Sequence, residues 1–409
     1  MTRRTTAIAA ALSLLPLGQP LLLGSTTALA TGAVLLSTQA ADAQSAAVFM
    51  KRGYAKFNKG DYQGALADFN KAIEINPQDA NAYASRSGIK LNLGDNQGAL
   101  NDANQSIEIN PQDSIAYYNR GSAKDELGDY QGAIADYNKA IEINPQSALA
   151  YTNRGVAKVK SGDTQGAIAD WGKAIDINPQ DDAAYYNRGN AKRKSGDYQG
   201  AIADYNKAIV INPQYDDAYL NRGLAKSNLK DYQGAIADYN KAIVINPQYD
   251  VAYYNLGTIK GRNLGDYKGA IADLTKAIMI NPEYSDAYSN RGISKKNIGD
   301  YQGAISDYEK VLELDPKHVL TFVNRGNVRS ALGDNKVAIL DYNKAIELDP
   351  QLAVAYKNRG IAKELVGDLK GACADWKEAS SLGDKDAAGW VRKECQFPQS
   401  APQRNEPLW

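Results

Sequence analysis

An internal repeat of 34 residues is the feature that most constrains how this chain can fold. A proline after Asn or Asp marks the end of each of the first nine units, and one step between successive prolines is 35 residues long. These prolines are Pro77, Pro111, Pro145, Pro179, Pro213, Pro247, Pro282, Pro316 and Pro350. The additional residue lies between Gly257 and Gly265. Self-similarity at a period of this size predicts a solenoid, in which every unit packs on its neighbours along the chain.

Each unit has the pattern of two short helices joined by a tight turn. In the third unit, Ala133, Tyr137 and Ala140 recur at spacings of three and four, which gives the second helix one apolar stripe. Asp129, just before this helix, can accept hydrogen bonds from the free backbone N–H groups of its first turn, and the same Asp recurs in all ten units. Pro145 prevents the helix from continuing. One hairpin cannot bury its own stripe, so the hairpins are expected to stack.

The residues at fixed offsets within the unit also carry a family resemblance. In the third unit they are Tyr117, Gly121, Gly128, Asp129, Tyr130, Ala133, Tyr137, Ala140 and Pro145. This pattern resembles the tetratricopeptide repeat family, in the variety with Asn-Arg-Gly and Asp-Tyr-Gln-Gly-Ala-Ile that is abundant in photosynthetic bacteria. The resemblance implies an all-α fold, a right-handed α-solenoid of ten helix hairpins whose first helices line a concave face. The ten repeats are 46–79, 80–113, 114–147, 148–181, 182–215, 216–249, 250–284, 285–318, 319–352 and 353–386.

An arginine stands directly before the repeated Gly, at a position where the family commonly has Leu. It occurs as Arg120, Arg154, Arg188, Arg222, Arg291, Arg325 and Arg359. In an antiparallel hairpin that turns at Gly128, Arg120 faces Asp136, and Asp recurs at that position in every unit. The sequence therefore predicts a ladder of partly buried Arg–Asp pairs within the units, in which loss of one partner costs more than the pair contributes.

The first 43 residues lack the repeat and have the layout of an export signal. Arg3 and Arg4 are followed by no charged residue until Asp42, and the segment between is rich in Ala, Leu, Thr and Gly. A small-residue site precedes a cleavage after Ala43, and a second such site at 28–30 is an alternative. Retention of the segment as a membrane anchor is the other alternative. We expect an exported chain in a periplasmic or lumenal compartment.

The C-terminal end departs from the repeat. The tenth unit lacks the closing proline, and residues 385–395 are predicted to form a capping helix. Cys373 and Cys395 are equally far from the turn at residue 384, so they face each other across this last hairpin. In an oxidising compartment they are expected to form a disulfide worth about 3 kcal/mol, whereas in the cytosol they would be two buried thiols. Residues 396–409 are expected to be a disordered tail.

The composition argues against an enzyme. One His, two Cys and three Met leave little material for His-based acid–base chemistry or for a His/Cys metal site. The one histidine, His318, lies in a turn between units, where a solvated surface position is expected. Because no phosphate loop, nucleophile elbow or metal motif occurs, we expect no catalytic residue, metal or cofactor. The 47 basic residues balance 47 acidic ones, which argues against nucleic acid as the partner.

Function is therefore expected on the surface of the first helices. Directly before the arginine position stand Asn119, Asn153, Asn187, Asn221, Asn255, Asn290, Asn324 and Asn358. Each amide can donate to a peptide carbonyl and accept from a peptide N–H, which is similar to the Asn ladder of O-linked N-acetylglucosamine transferases. The alternatives are that these amides bond to the preceding unit or are simply part of the repeat consensus.

The position before each Asn varies most among the repeats and could carry specificity. Tyr118, Tyr186 and Tyr254 occur there in the third, fifth and seventh units and could serve as aromatic anchors, although drift after duplication gives the same pattern. We expect a non-enzymatic scaffold that binds an extended protein or peptide segment in its groove. The alternatives are an assembly factor for a membrane complex, which uses its convex face or its N-terminus, and a subunit that positions a catalytic partner.

Overall fold

The computed structural model describes residues 45–395, and these residues are all in helices or in the short connections between them. The expected export segment, 1–43, and the expected tail, 396–409, lie outside the described residues. The helices divide between two compact units, with the boundary after Pro213. Within the described range there are twenty-one helices and no strand, so the prediction of an all-α fold built from successive helix hairpins is confirmed.

The unit before the boundary contains five hairpins. Their helices are α1 (45–57), α2 (Tyr62–Ile75), α3 (Ala80–Asn92), α4 (Asn96–Ile109), α5 (Ser114–Glu126), α6 (Tyr130–Ile143), α7 (Ala148–Lys160), α8 (Thr164–Ile177), α9 (Asp182–Lys194) and α10 (Tyr198–Ile211). Odd-numbered helices are the first helices of their repeats, and even-numbered helices are the second.

The unit after the boundary contains five more hairpins and one final helix. Its helices are α11 (Asp216–Asn228), α12 (Tyr232–Ile245), α13 (Asp250–Leu264), α14 (Tyr267–Ile280), α15 (Ser285–Asn297), α16 (Tyr301–Leu314), α17 (Val319–Ala331), α18 (Asn335–Leu348), α19 (Ala353–Leu365), α20 (Leu369–Ser381) and α21 (Lys385–Glu394). Helix α13, in the repeat that contains the additional residue, is 15 residues long, whereas the first helix is 13 residues long in the neighbouring repeats.

The second helices begin at a capping aspartate that depends on a nearby glycine. Asp129 Oδ1 accepts from the N–H of Gly132 at 2.9 Å, and a Cβ atom at Gly132 would lie 2.1 Å from the same carboxylate. Nine repeats have this cap, at Asp61, Asp95, Asp129, Asp163, Asp197, Asp231, Asp266, Asp300 and Asp368. The prediction was wrong for Asp334, which makes no side-chain cap bond. Val337 replaces the glycine there, and its side chain needs the space that the carboxylate fills elsewhere.

In most hairpins the core forms where an aromatic ring of the second helix packs against a glycine of the first helix. Ala133 and Ala140 of α6 are buried, and the ring of Tyr137 packs so closely on α5 that a Cβ atom at Gly121 would lie 2.9 Å from it. A larger residue at position 121 would push the two helices apart, which explains why nine of the ten repeats have Gly here, whereas the second repeat has Ser87 opposite the small Ala103.

The predicted Arg–Asp ladder is confirmed. Arg120 donates to both carboxylate oxygens of Asp136, at 3.0 and 2.7 Å, and Lys124 contacts the same carboxylate at 2.8 Å. Nine repeats contain this pair, as Arg52–Asp68, Arg86–Asp102, Arg120–Asp136, Arg154–Asp170, Arg188–Asp204, Arg222–Asp238, Arg291–Asp307, Arg325–Asp341 and Arg359–Asp375. Each guanidinium also lies over an aromatic ring, Tyr117 in the third repeat, at 5.2 Å. The arginines therefore stabilise their own repeats, and at least five of them also donate to a side chain of the preceding repeat, as Arg120 does to Asn104 at 3.0 Å.

The final helix covers the end of the last hairpin. Helix α21 packs against α20, and the rings of Trp376 and Trp390 lie 5.3 Å apart. Cys373 and Cys395 form a disulfide, as their positions around the turn suggested. No helix among residues 45–395 combines the length and the hydropathy that a membrane span requires.

Candidate functional site

The candidate site is the surface of the first helices beside the Arg–Asp ladder. Arg120 points toward its own second helix, whereas Asn119, one residue earlier, reaches the first helix of the preceding repeat. Within each of the two units, the first helices of most pairs of consecutive repeats contact one another. The positions that were predicted to bind a peptide therefore lie at the seam between consecutive first helices.

In the unit before Pro213, two of the predicted Asn residues join neighbouring repeats. The amide of Asn119 is 2 % exposed and donates to the backbone oxygen of Ala84 at 2.9 Å. Asn153 donates to the hydroxyl oxygen of Tyr118 at 2.8 Å. Both bonds run to the preceding repeat, which was one of the alternatives that the sequence left open.

In the unit after Pro213, four more of these amides have partners within the protein. Asn290 is buried and donates to the hydroxyl oxygens of Tyr254 and Thr258, at 3.2 and 3.1 Å. Asn358 donates to the side-chain oxygen of Asn327 at 2.8 Å. The other two, Asn221 and Asn255, donate to backbone oxygens one turn earlier in their own helices, at 2.9 and 2.8 Å.

Asn187 on α9 and Asn324 on α17 differ from the other six. Both are partly exposed, and the structure gives neither side chain a hydrogen bond to any other residue of the described range 45–395. Their amides are therefore available to a bound peptide without loss of an internal hydrogen bond. Peptide contact by the eight Asn residues stays a prediction, and these two meet its requirements best.

The three predicted anchor tyrosines all contact other aromatic rings. Tyr118 is buried against Tyr137, while the ring of the partly exposed Tyr186 lies 6.1 Å from that of Tyr205. Tyr254 stacks on Tyr284, with ring centroids 4.8 Å apart. Tyr186 and Tyr254 are held in fixed positions and remain partly accessible, as an anchor for a ligand requires.

The seventh repeat contains a feature that sequence reasoning missed. A cavity of about 170 Å³ lies between α13, α14 and α15 and is lined by Thr258, Gly261, Arg262, Leu274, Asn290 and Ile293, among others. Two signals were visible in the sequence: the additional residue of this repeat, and Leu274 at a position where most repeats have an aromatic residue. Their effect depends on packing volume, which a repeat alignment does not give.

The described residues also include side chains of the kinds that could together bind a metal ion. Residues 45–395 contain no group of three or more His, Cys, Asp or Glu side chains arranged to hold a metal ion. His318 lies directly before α17, and its Nδ1 is 2.7 Å from the hydroxyl oxygen of Thr321 in the first turn of that helix. This contact is local to one turn of helix.

Models of one repeat family match segments that together cover most of the described residues. Models described as tetratricopeptide repeat match residues 46–79, 103–135, 216–249, 251–284 and 285–318, and a model described as TPR repeat matches 126–162, 157–194, 189–230 and 326–367. No curated protein matches the chain.

Several solved structures are similar to parts of the chain. MamA is 28 % identical over 41 % of this chain and 96 % of its own, with a TM-score of 0.39. A tetratricopeptide repeat protein from Parabacteroides merdae is 23 % identical over 60 % of this chain and 98 % of its own, with a TM-score of 0.46. YrrB, a TPR protein with an unusual peptide-binding site, is 23 % identical over 46 % of this chain and 96 % of its own, with a TM-score of 0.40.

Proposed function

We propose that this chain, which belongs to the tetratricopeptide repeat family, is a scaffold whose first-helix surface binds an extended segment of a partner protein. The observation that carries the proposal is the pair of free amides, Asn187 and Asn324, at a position where six other repeats have an Asn whose amide makes a hydrogen bond within the protein. An amide satisfies both the carbonyl and the N–H of a peptide, so it binds backbone whatever the peptide sequence.

Specificity in this proposal comes from the variable position beside each Asn. Tyr186 stands next to Asn187 and offers a ring that packing against Tyr205 holds in place. Val323 stands next to Asn324 on α17 and is buried, so it cannot contact a bound peptide. In this repeat the peptide would contact the amide of Asn324 and the exposed residues around it. The amides that bond to the preceding repeat, such as Asn119, keep consecutive first helices aligned.

We also propose that the scaffold acts after export, in a periplasmic or lumenal compartment. The pattern of the first 43 residues supports export, and a disulfide between Cys373 and Cys395 persists only where thiols are oxidised. If the N-terminal segment is retained, the same scaffold would be attached to the membrane.

The decisive experiment removes the two free amides together. The variant Asn187→Ala/Asn324→Ala should fold as the wild type does and recover about tenfold less partner from the exported fraction, because each bidentate amide contact contributes on the order of 1 kcal/mol. Asn101→Ala, which removes an exposed amide from a second helix, is the matched control. Crosslinking mass spectrometry should place the partner on α9 and α17. Unchanged recovery, or crosslinks confined to second helices, would reject the proposal.

One observation favours a second candidate, an assembly factor that uses its second helices. In five of the ten repeats a lysine on the second helix pairs with an acidic residue three positions later, as Lys139 does with Glu142 at 2.8 Å. The sixth and seventh repeats have Val244 and Met279 at the acidic position, 72 % and 67 % exposed. Val244→Glu/Met279→Glu should abolish assembly if this surface is used and leave peptide capture unchanged.

A further inference from the structure

The cavity of the seventh repeat exists because a ring is missing. In the third, fifth and ninth repeats the aromatic position of the second helix is Tyr, and its hydroxyl reaches a polar residue of the first helix. The pairs are Tyr137 with Ser122, Tyr205 with Asn190 and Tyr342 with Asn327, at 3.1, 2.7 and 2.8 Å. In the seventh repeat these positions hold Leu274 and Thr258, and both line the cavity. The cavity therefore takes the place of the outer part of the ring.

The size of this cavity suits one apolar side chain. A cavity of about 150 Å³ with an apolar lining accommodates a benzene molecule, and this cavity measures about 170 Å³. Leu274 and Ile293 supply apolar walls. Gly261 keeps the wall of α13 thin, since a Cβ atom there would lie 3.1 Å from the hydroxyl oxygen of Ser294.

A cation without an acidic partner stands at the edge of the cavity. Arg262 is exposed, and its guanidinium donates to the side-chain oxygen of Asn290 at 2.7 Å. Among the described residues 45–395, no carboxylate lies within ion-pair distance of it. The ladder arginines, by contrast, each bind an aspartate. The planar guanidinium has further N–H groups that match the two oxygens of a carboxylate.

We propose that this cavity is a specificity pocket for an aliphatic side chain that is followed by Asp or Glu in the bound segment. The aliphatic side chain enters between Thr258 and Leu274, and the acidic side chain pairs with Arg262 at the edge. Charge and volume together identify the ligand: the cavity excludes groups larger than about one ring, and the unpaired guanidinium selects a carboxylate. This inference rests on the proposed function, because it describes part of the segment that the scaffold binds.

Synthetic peptides test the pocket directly on the full chain. The probe is a fluorescein-labelled octapeptide of Gly and Ser with Leu-Glu in the middle, acetylated at its N-terminus and amidated at its C-terminus, and the readout is fluorescence anisotropy. Replacement of Leu by Ala should weaken binding about tenfold, because most of the buried side chain is lost. Replacement of Glu by Gln should weaken it by a similar factor, because the charge-assisted bond to Arg262 is lost.

Variants of the protein separate this pocket from the rest of the surface. Leu274→Tyr should reduce binding of the Leu-Glu peptide at least about tenfold and still fold, because Tyr occupies this position in other repeats. Arg262→Gln should bind the Glu and Gln peptides equally. Lys296→Gln, which removes a neighbouring cation on α15, is the control and should bind as the wild type does. Circular dichroism checks that each variant is folded.

The outcomes distinguish the pocket from the scaffold proposal. If Leu274→Tyr binds the Leu-Glu peptide normally, or if Arg262→Gln still prefers Glu over Gln, the pocket is wrong. If a peptide with Gln and a free C-terminal carboxylate binds as tightly as the Leu-Glu probe, the carboxylate is a chain terminus and the assignment to an acidic side chain fails. The scaffold proposal is tested separately, by crosslinks of the partner to α9 and α17. If these crosslinks persist in Leu274→Tyr and Arg262→Gln while the peptide results contradict the pocket, only the pocket proposal is rejected.

Discussion

The sixth and seventh repeats are neighbours in one unit, and the aspartate of the ladder is buried in the sixth but only partly buried in the seventh. In the sixth, Asp238 accepts from Arg222 Nε at 2.9 Å and contacts Lys226 at 2.8 Å. In the seventh, Leu256 replaces the arginine, and Asp273 keeps only Lys260, at 2.7 Å. Two cations compensate for the burial of Asp238, whereas one cation compensates for that of Asp273. The comparison shows that the ladder can lose a member without loss of the hairpin, because an apolar side chain fills the vacated position.

The turns of these two repeats differ as well. Gly265 ends α13 with φ at +71°, which glycine adopts without cost. In the sixth repeat the same position is Lys230, with φ at 64°, and it has the one positive φ angle found at a non-glycine residue within 45–395. The sixth repeat therefore has the stronger ion pairs and the less favourable turn.

The largest difference between the two repeats should appear when each aspartate loses its charge. Asp238→Asn should cost about 3 kcal/mol of local stability, because it leaves the partly buried Arg222 without a counter-charge. Asp273→Asn should cost about 1 kcal/mol or less, because only Lys260 loses its partner. Hydrogen exchange of α11–α12 and α13–α14 measures the two opening free energies separately. Equal losses would mean that the arginine adds nothing to the ladder.

A smaller effect is expected at the turns. Lys230→Gly should stabilise the sixth repeat by up to about 1 kcal/mol, because the left-handed conformation no longer strains a Cβ atom. Gly265→Lys should destabilise the seventh repeat by a similar amount. Thermal unfolding followed by circular dichroism compares both variants with the wild type. If Lys230→Gly is neutral or destabilising, contacts of the lysine side chain outweigh its backbone strain.

The sequence predicts the hairpins and the ladder because both follow from spacing. Arg120 and Asp136 are equally far from Gly128, so their contact depends only on the antiparallel geometry of one hairpin. The partners of four Asn residues could not be predicted from one repeat, because they lie in the preceding repeat. The Tyr118 hydroxyl is long enough to reach Asn153, whereas the shorter Thr152 bonds to Asp181 instead and leaves Asn187 free. The prediction of a cap at Asp334 was wrong for a different reason: the cap needs a glycine three positions later in the same repeat, and Val337 stands there.

The cavity illustrates the other limit of sequence reasoning. In the sequence, Leu274 looks like one apolar core residue in place of another, and it is indeed fully buried. What matters for function is the volume that the missing ring leaves beside Thr258, and the length of α13, which brings Arg262 to the edge of that volume. Both are properties of three helices together rather than of one repeat.

The smallest expected effect is a dependence of stability on pH that belongs to the seventh repeat. Burial raises the pKa of the Asp273 carboxyl above its usual 3.8, and the hydrogen bond and charge of Lys260 only partly offset this. Because the folded state then binds the proton more tightly than the unfolded state, the contribution of Asp273 is most favourable below the unfolded pKa and is lost as pH rises through the folded one.

As pH rises from the unfolded to the folded pKa of Asp273, the wild type should therefore lose stability relative to Asp273→Asn. Leu256→Arg supplies the second cation that Asp238 has, and it should flatten this dependence. Thermal unfolding of the three proteins from about pH 3 to about pH 7 measures both effects. If the wild type instead gains on Asp273→Asn as pH rises, the ionised carboxylate is favoured in the fold, and Lys260 alone compensates for burial as fully as the two cations of the sixth repeat do.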